Sequence, residues 1–271
     1  MKALILGGTT EATALARLLS GHPRIDAAVS LAGRTKQPVL PPLPTRIGGF
    51  GGVDGLAAHL VENGIGAVVD ATHPFADQIS ANAAAACARA GVPLLVLTRK
   101  PWEPGEGDCW IVVPDMEAAA EALRPLGENV FLTIGRQEVA VFEAVPDKRY
   151  VIRAVDPPEP APNLSDYRLI LDRGPFTLEG ECALLEKHRV DVVVSKNSGG
   201  SATEAKLEAA RRRGIPVVMV ERPPGNGVAE VHGAGAALDW LEGQSSRAPL
   251  PTSPRCAGGG ADSLPCGAGE G

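Results

Sequence analysis

The chain has 271 residues, 44% hydrophobic and 21% charged, with a formal net charge of −6. That length suits one large or two modest domains, and the acidic balance disfavours nucleic acid or an anionic membrane surface as a partner. Five scattered cysteines, never spaced C-x-x-C, indicate neither a disulfide framework nor a zinc site. The apolar run from Ala3 to Leu6 is too short for a signal-peptide core, and no stretch approaches the roughly 18 apolar residues of a membrane span. No membrane contact is expected, and the cytoplasm is the expected location.

In chain order, short β-branched runs alternate with alanine-rich stretches of helical spacing, the pattern of parallel strands joined by crossover helices. Strands are predicted at 2–6, 27–31, 67–71, 93–98, 130–134, 150–155, 191–195 and 216–221, with helices at 10–20, 53–63, 77–90, 115–123, 177–188 and 203–213. Asp115 and Thr203 suit helix N-caps, while Gly64, Gly91 and Gly214 suit C-termini. "ARAGVPLLVLTRK" and "RRRGIPVVMVERP" resemble each other, which suggests two α/β domains of related build. The proline- and glycine-rich segment 100–107 marks the exit from the first. The expected division is 1–112, 113–242 and, where periodicity ends, a disordered tail at 243–271.

Ligands of open parallel sheets bind beyond the carboxyl ends of the strands. The residues there include Arg34, Arg99, Lys100, Arg136, Lys196 and Arg222, with Arg153 late in its own strand. The opposite strand ends carry no comparable excess of cations. A ligand with several carboxylates or phosphates would account for the asymmetry. "GGTTEA" partly matches G-x-G-x-x-G/A, with Thr9 where the second glycine belongs, so it is either a phosphate cradle or a tight turn before a helix. "VSLAGRT" lacks the acidic residue that binds an NAD ribose and offers Ser30, Arg34 and Thr35 instead. Any dinucleotide bound here should therefore be NADPH.

His73, in "VVDATHPFA", is the one histidine at a predicted ligand edge. It either touches a ligand or is an ordinary loop histidine, and no metal motif surrounds it. "VVVSKNSGGSATEAKLEAA" is a second glycine-containing strand-to-helix turn, suited to an anion through Lys196 and nearby amides. It carries no G-x-S-x-G elbow. Tyr150 and Tyr167 lack the lysine four residues on that a short-chain reductase uses.

Together "LILGGTTEATALA", "SLAGRT", "DATHPFA", "LTRKPW", "TIGRQE" and "SKNSGG" followed by "TEAKLEAARRRGIPVVMVERP" resemble the precorrin-6A reductase family, cobalt-precorrin-6A reductases included. The resemblance implies an α/β protein of two Rossmann-like domains with mostly parallel sheets and the active site in the cleft between them. It implies an oxidoreductase that uses NADPH to reduce a C=C bond of precorrin-6A, or its cobalt form, giving precorrin-6B in cobalamin biosynthesis. It also implies a carboxylate-rich tetrapyrrole as partner, and transient contact with other enzymes of that pathway.

On this basis Gly7, Gly8, Thr9 and Thr10 are assigned to cofactor phosphates, Arg34 to the 2′-phosphate, and Ser30 and Thr35 to its surroundings. Phe75, Arg99, Trp102, Arg136, Arg153, Lys196 and Ser198 are assigned to substrate, and His73 is the candidate proton donor. The competing expectations are a non-catalytic NADP- or tetrapyrrole-binding protein and an NADPH-dependent reductase of another small molecule.

Overall fold

A computed structural model describes residues 1–33, 35 and 38–247. The first half runs β1 (Lys2–Leu6), α1 (Thr10–Leu19), β2 (Asp26–Leu31), β3 (Thr45–Ile47), α2 (Gly52–Glu62), β4 (Ile65–Asp70), α3 (Asp77–Ala90) and β5 (Leu94–Leu97). The second runs β6 (Trp110–Val113), α4 (Met116–Ala122), β7 (Asn129–Leu132), β8 (Arg149–Ala154), β9 (Tyr167–Leu171), α5 (Leu178–Lys187), β10 (Val192–Lys196), α6 (Ala205–Arg213) and β11 (Val217–Val220). It closes with β12 (Glu230–Val231) and α7 (Ala234–Arg247).

Two six-stranded sheets result, ordered β12-β5-β4-β1-β2-β3 and β6-β11-β10-β7-β8-β9. Every pairing is parallel. Central strands buried on both faces require continuous apolar runs rather than alternation, and "LIL" and "VVV" supply them. Successive residues of β1 serve opposite faces: Ala3 and Ile5 join one core with α1 and α7, while Leu4 and Leu6 join another with α2 and α3. Helix α1 seats itself through Ala12, Leu15, Ala16 and Leu19, one apolar stripe at helical spacing.

The sixth strand of each sheet comes from the other half of the chain. After β5 the chain leaves the first sheet, and Trp110 of β6 pairs with Val217 of β11. After β11 it returns, and Glu230 of β12 pairs with Val96 of β5. The expected division at 113 and 242 is corrected accordingly. Strand β6 precedes the first boundary yet belongs to the second sheet, and 230–247 belong to the first.

The expected tail is corrected over 243–247, which continue α7; residues 248–271 lie outside the described residues. The helix continues through a polar "GQSSR" because Ala237 and Leu241 are buried on the first sheet's core. Glu242 is also held by His22 and Arg24, each at 3.2 Å. Tertiary contact here overrides a weak local propensity. Among the described residues, no helix is long and apolar enough to cross a membrane.

Candidate active site

At the carboxyl end of β1, the Gly7 N–H donates to the Ser30 carbonyl at 2.9 Å. A side chain at Gly7 would meet Val29 Cγ1 at 2.9 Å, so glycine there lets β1 and β2 lie close. Gly8 follows with φ of 129° and open space where a Cβ would project, so its backbone is uncovered there.

Thr9 is the N-cap of α1. Its Oγ1 accepts from the Ala12 N–H at 3.1 Å and donates to the Ala71 carbonyl at 2.8 Å. That corrects its expected role as a phosphate donor, because the single hydroxyl proton ties the loops after β1 and β4 together. The Thr10 hydroxyl is likewise turned to the Glu11 carboxylate at 3.1 Å. An anion at this end would be held by first-turn amides of α1, which have no intrahelical acceptors, and by the helix dipole.

A cleft of about 160 Å³ opens beside this loop, lined by Gly7, Ser30, Gly49, Phe50, Gly51 and Thr72 among others. Side chains at Gly48, Gly49, Gly51 or Gly52 would project into open space, so the far wall also presents bare backbone. Arg46, which sequence reasoning did not single out, stands behind that wall. Its Nη1 donates to Ser30 Oγ and the Gly48 carbonyl, both at 2.9 Å, and its Nη2 to the Gly49 carbonyl at 3.1 Å. Ser30 is thus committed to Arg46. Thr35 lies in the loop after β2, and Arg34 lies outside the described residues.

Across the cleft, Asp70 Oδ1 accepts from the Thr72 N–H at 3.1 Å and the Thr72 hydroxyl at 2.7 Å, shaping the turn that carries His73 and Phe75. The two rings lie 5.9 Å apart. Phe75 reaches the second sheet's core, and Lys196 Nζ stands 5.1 Å from its ring centroid. Lys196 also pairs with Glu138. Arg99 Nε lies 3.6 Å from Glu11 Oε2, and a side chain at Gly200 (φ 81°) would strike Arg99 Cδ at 2.6 Å.

Arg222 clasps the halves together. Its guanidinium donates to the carbonyls of Asn197 at 2.8 Å, Arg99 at 2.7 Å and Ser198 at 2.9 Å. The ring contact, the Lys196 approach to Phe75, the field of Arg99 and Lys196 on His73 and the Arg222 bond to the Ser198 carbonyl thus gather His73, Phe75, Arg99, Lys196 and Ser198 at the ligand edges of the two sheets.

Trp102 and Arg153 are corrected. Trp102 is only 8% exposed, and its indole N–H donates to the Gly200 carbonyl at 3.2 Å. Asn197 grips its backbone at 2.7 and 3.0 Å, so Trp102 braces the loop that follows β10. The Arg153 side chain, 6% exposed, is forked on Glu181 and lies 3.6 Å over the Phe176 ring. Both are interior supports rather than surfaces open to a ligand. Arg136 donates to the Pro157 carbonyl at 3.3 Å.

His73, the candidate proton donor, sits where burial and nearby cations disfavour its protonated form. Desolvation, then the fields of Arg99, Lys196, Arg222 and Lys206, lowers its pKa to about 3. In this environment the imidazole is neutral at ordinary pH. Lys206, also missed, is buried, donates to the Thr203 carbonyl at 3.0 Å and lies 4.8 Å from the Trp102 ring centroid. Burial foremost, then Arg153, lowers its pKa to about 7.

Comparison with known proteins decides the family. The model of the precorrin-6x reductase CbiJ/CobK family matches residues 2–242. The chain belongs to the precorrin-6x reductase family.

The chain is similar to a precorrin-6A reductase of Rhodobacter capsulatus, 51% identical over 81% of this chain and 87% of the relative. It is 51% identical to one of Rhodococcus erythropolis over 88% and 96%, and 30% identical to a cobalt-precorrin-6A reductase of Priestia megaterium over 81% and 90%. A solved CobK precorrin-6A reductase superposes with a TM-score of 0.85 at 47% identity, covering 90% of this chain and 97% of that one.

Sequence reasoning missed Arg46 and Lys206 altogether and the role of Arg222, for different reasons. Arg46 sits on a three-residue strand between a proline-rich segment and a glycine-rich loop, yet its spacing to "GGFGG" is a visible signal. Arg222 was seen as a strand-end cation but acts on backbone carbonyls, which no side-chain pattern displays. Lys206 lies among helical polar residues, and only packing reveals its burial.

Proposed function

We propose that this protein reduces a C=C bond of precorrin-6A with NADPH, giving precorrin-6B and NADP⁺ with uptake of one proton. The observation that carries this is bare glycine backbone and a helix N-terminus at the ligand edge of the first sheet, with Arg99, Lys196 and Arg222 gathered around His73. Membership of a reductase family implies a nicotinamide cofactor, and these glycines and amides fit its phosphates. When bound, the cofactor supplies the hydride.

The chain's own residues position and shield. First-turn amides of α1 and the backbone at Gly8 hold phosphate, and Arg99 and Lys196 meet substrate carboxylates by charge-assisted hydrogen bonds. Phe75 closes the cleft against the second half and excludes water, so orientation supplies most of the acceleration. Neutral His73 serves as a hydrogen-bonding wall. Identity near 51% to precorrin-6A reductases, against 30% to a cobalt-precorrin-6A reductase, supports the metal-free substrate.

The test is an anaerobic assay following NADPH absorbance with metal-free or cobalt precorrin-6A. Oxidation coupled to a product two hydrogens heavier, faster with the metal-free substrate, is expected. Tight binding of both ligands without oxidation would establish the non-catalytic alternative.

A further inference from the structure

We infer that Arg46 selects the 2′-phosphorylated form of the cofactor, an inference that rests on the NADPH reading above. In a parallel sheet of this order, the adenosine ribose lies just past the end of the second strand, where an acidic residue accepts from an unmodified 2′-hydroxyl. Strand β2 ends in Ser30-Leu31, followed by Ala32 and Gly33, with no carboxylate.

Among the described residues, what this corner offers instead is the Arg46 guanidinium, behind the cleft wall. Arg46 is in register with Ser30 across the β2–β3 pair, and Ser30 and Ala32 both line the cleft. Its plane is fixed by the hydrogen bonds to Ser30, Gly48 and Gly49 and by the Phe50 ring, 3.9 Å from Cζ to centroid. Among the described residues no carboxylate pairs with it, so the charge is oriented but not neutralised. A planar guanidinium in that state discriminates strongly for a phosphate over a hydroxyl, because a dianion accepts two N–H bonds at once. The same bonds hold the 48–52 loop, so Arg46 both shapes the adenosine wall and charges it.

The full chain would be titrated calorimetrically with NADPH and with NADH, using wild type, Arg46→Gln and Arg46→Lys, with thermal melts confirming that each is folded. Wild type is expected to prefer NADPH. Arg46→Gln should weaken NADPH by about tenfold or more while NADH stays within about threefold, and Arg46→Lys, which keeps the charge but not the fork, should fall between.

Equal losses for both nucleotides would assign Arg46 to loop shape alone and overturn the inference. An undiminished NADPH preference in folded Arg46→Gln would overturn it too, leaving the NADPH reading intact. Absence of any NADPH preference in wild type would instead overturn the NADPH reading, and the inference with it.

Discussion

Arg222 reaches from the end of β11 to donate to the backbone carbonyl of Arg99, just past β5, at 2.7 Å. One side chain thereby joins the ligand edges of two sheets and also holds Asn197 and Ser198 through their carbonyls. Arg222→Ala would leave three acceptors with lost partners. A destabilisation of about 2–4 kcal/mol is expected in urea unfolding, with a several-fold rise in substrate KM as the loop after β10 loosens. Unchanged stability and KM would show that this clasp does not hold the cleft.

The pair Arg153–Glu181 is buried on both sides, the side chains 6% and 2% exposed. Removing one partner strands the other charge in the interior, so Glu181→Ala should cost about 3–5 kcal/mol. Replacing both with apolar residues of similar volume should recover much of that loss. Such a double variant that folds and keeps KM within about twofold places Arg153 in support. A large KM rise at full stability would return Arg153 to the substrate.

Thr9→Val removes the N-cap of α1 and its tie to Ala71. A loss of about 1–2 kcal/mol is expected, with Thr9→Ser close to wild type. Cofactor affinity should fall only as far as the helix start is displaced. If Thr9→Val kept full stability while losing cofactor binding, the hydroxyl would have to face phosphate after all.

His73 and Lys206 contribute with the same sign along the pH axis of stability, in separate pH windows. His73 has its folded pKa depressed to about 3 from 6.5, so the unfolded state binds more protons between those values. Wild type should therefore lose stability relative to His73→Gln as pH falls through 6.5. Lys206 has its folded pKa depressed to about 7 from 10.5, so wild type should gain relative to Lys206→Met as pH rises from about 7 to 10.5. Parallel curves for wild type and variant would refute the placement of either group. An NMR titration that found His73 protonated at pH 6 in the free protein would also restore it as a proton donor.

Much of the fold was legible because its cause is local. Strands such as "KALIL" and "VVVSK" read as buried parallel strands from their unbroken apolar runs, and Gly91 and Gly214 end α3 and α6 as expected. Strands β3, β6, β9 and β12 were not legible. Two of them are three residues or fewer, all four are edge strands, and an edge strand needs no continuous apolar run.

At the site, chemical type was readable and employment was not. The rule that strand ends carry ligand residues singled out His73, Arg99, Lys196 and Ser198, which the fold gathers where the carboxyl ends of the two sheets meet. Arg153 has the same chemistry and lies one residue before its strand's end, yet Glu181 claims it. Thr9 has a hydroxyl of the right kind, yet Ala71 takes its proton.

By itself the sequence determined the parallel α/β class, the two related halves, the cationic ligand edge and the motifs that mark the family, since each depends on residue type and short spacing. Only the tertiary structure decided which half owns β6, β12 and α7, which cations face the cleft, and which are spent on carbonyls and carboxylates. Hydrogen-bond partners and burial come from segments far apart in the chain. No local pattern records which of two chemically equal side chains will meet a partner first.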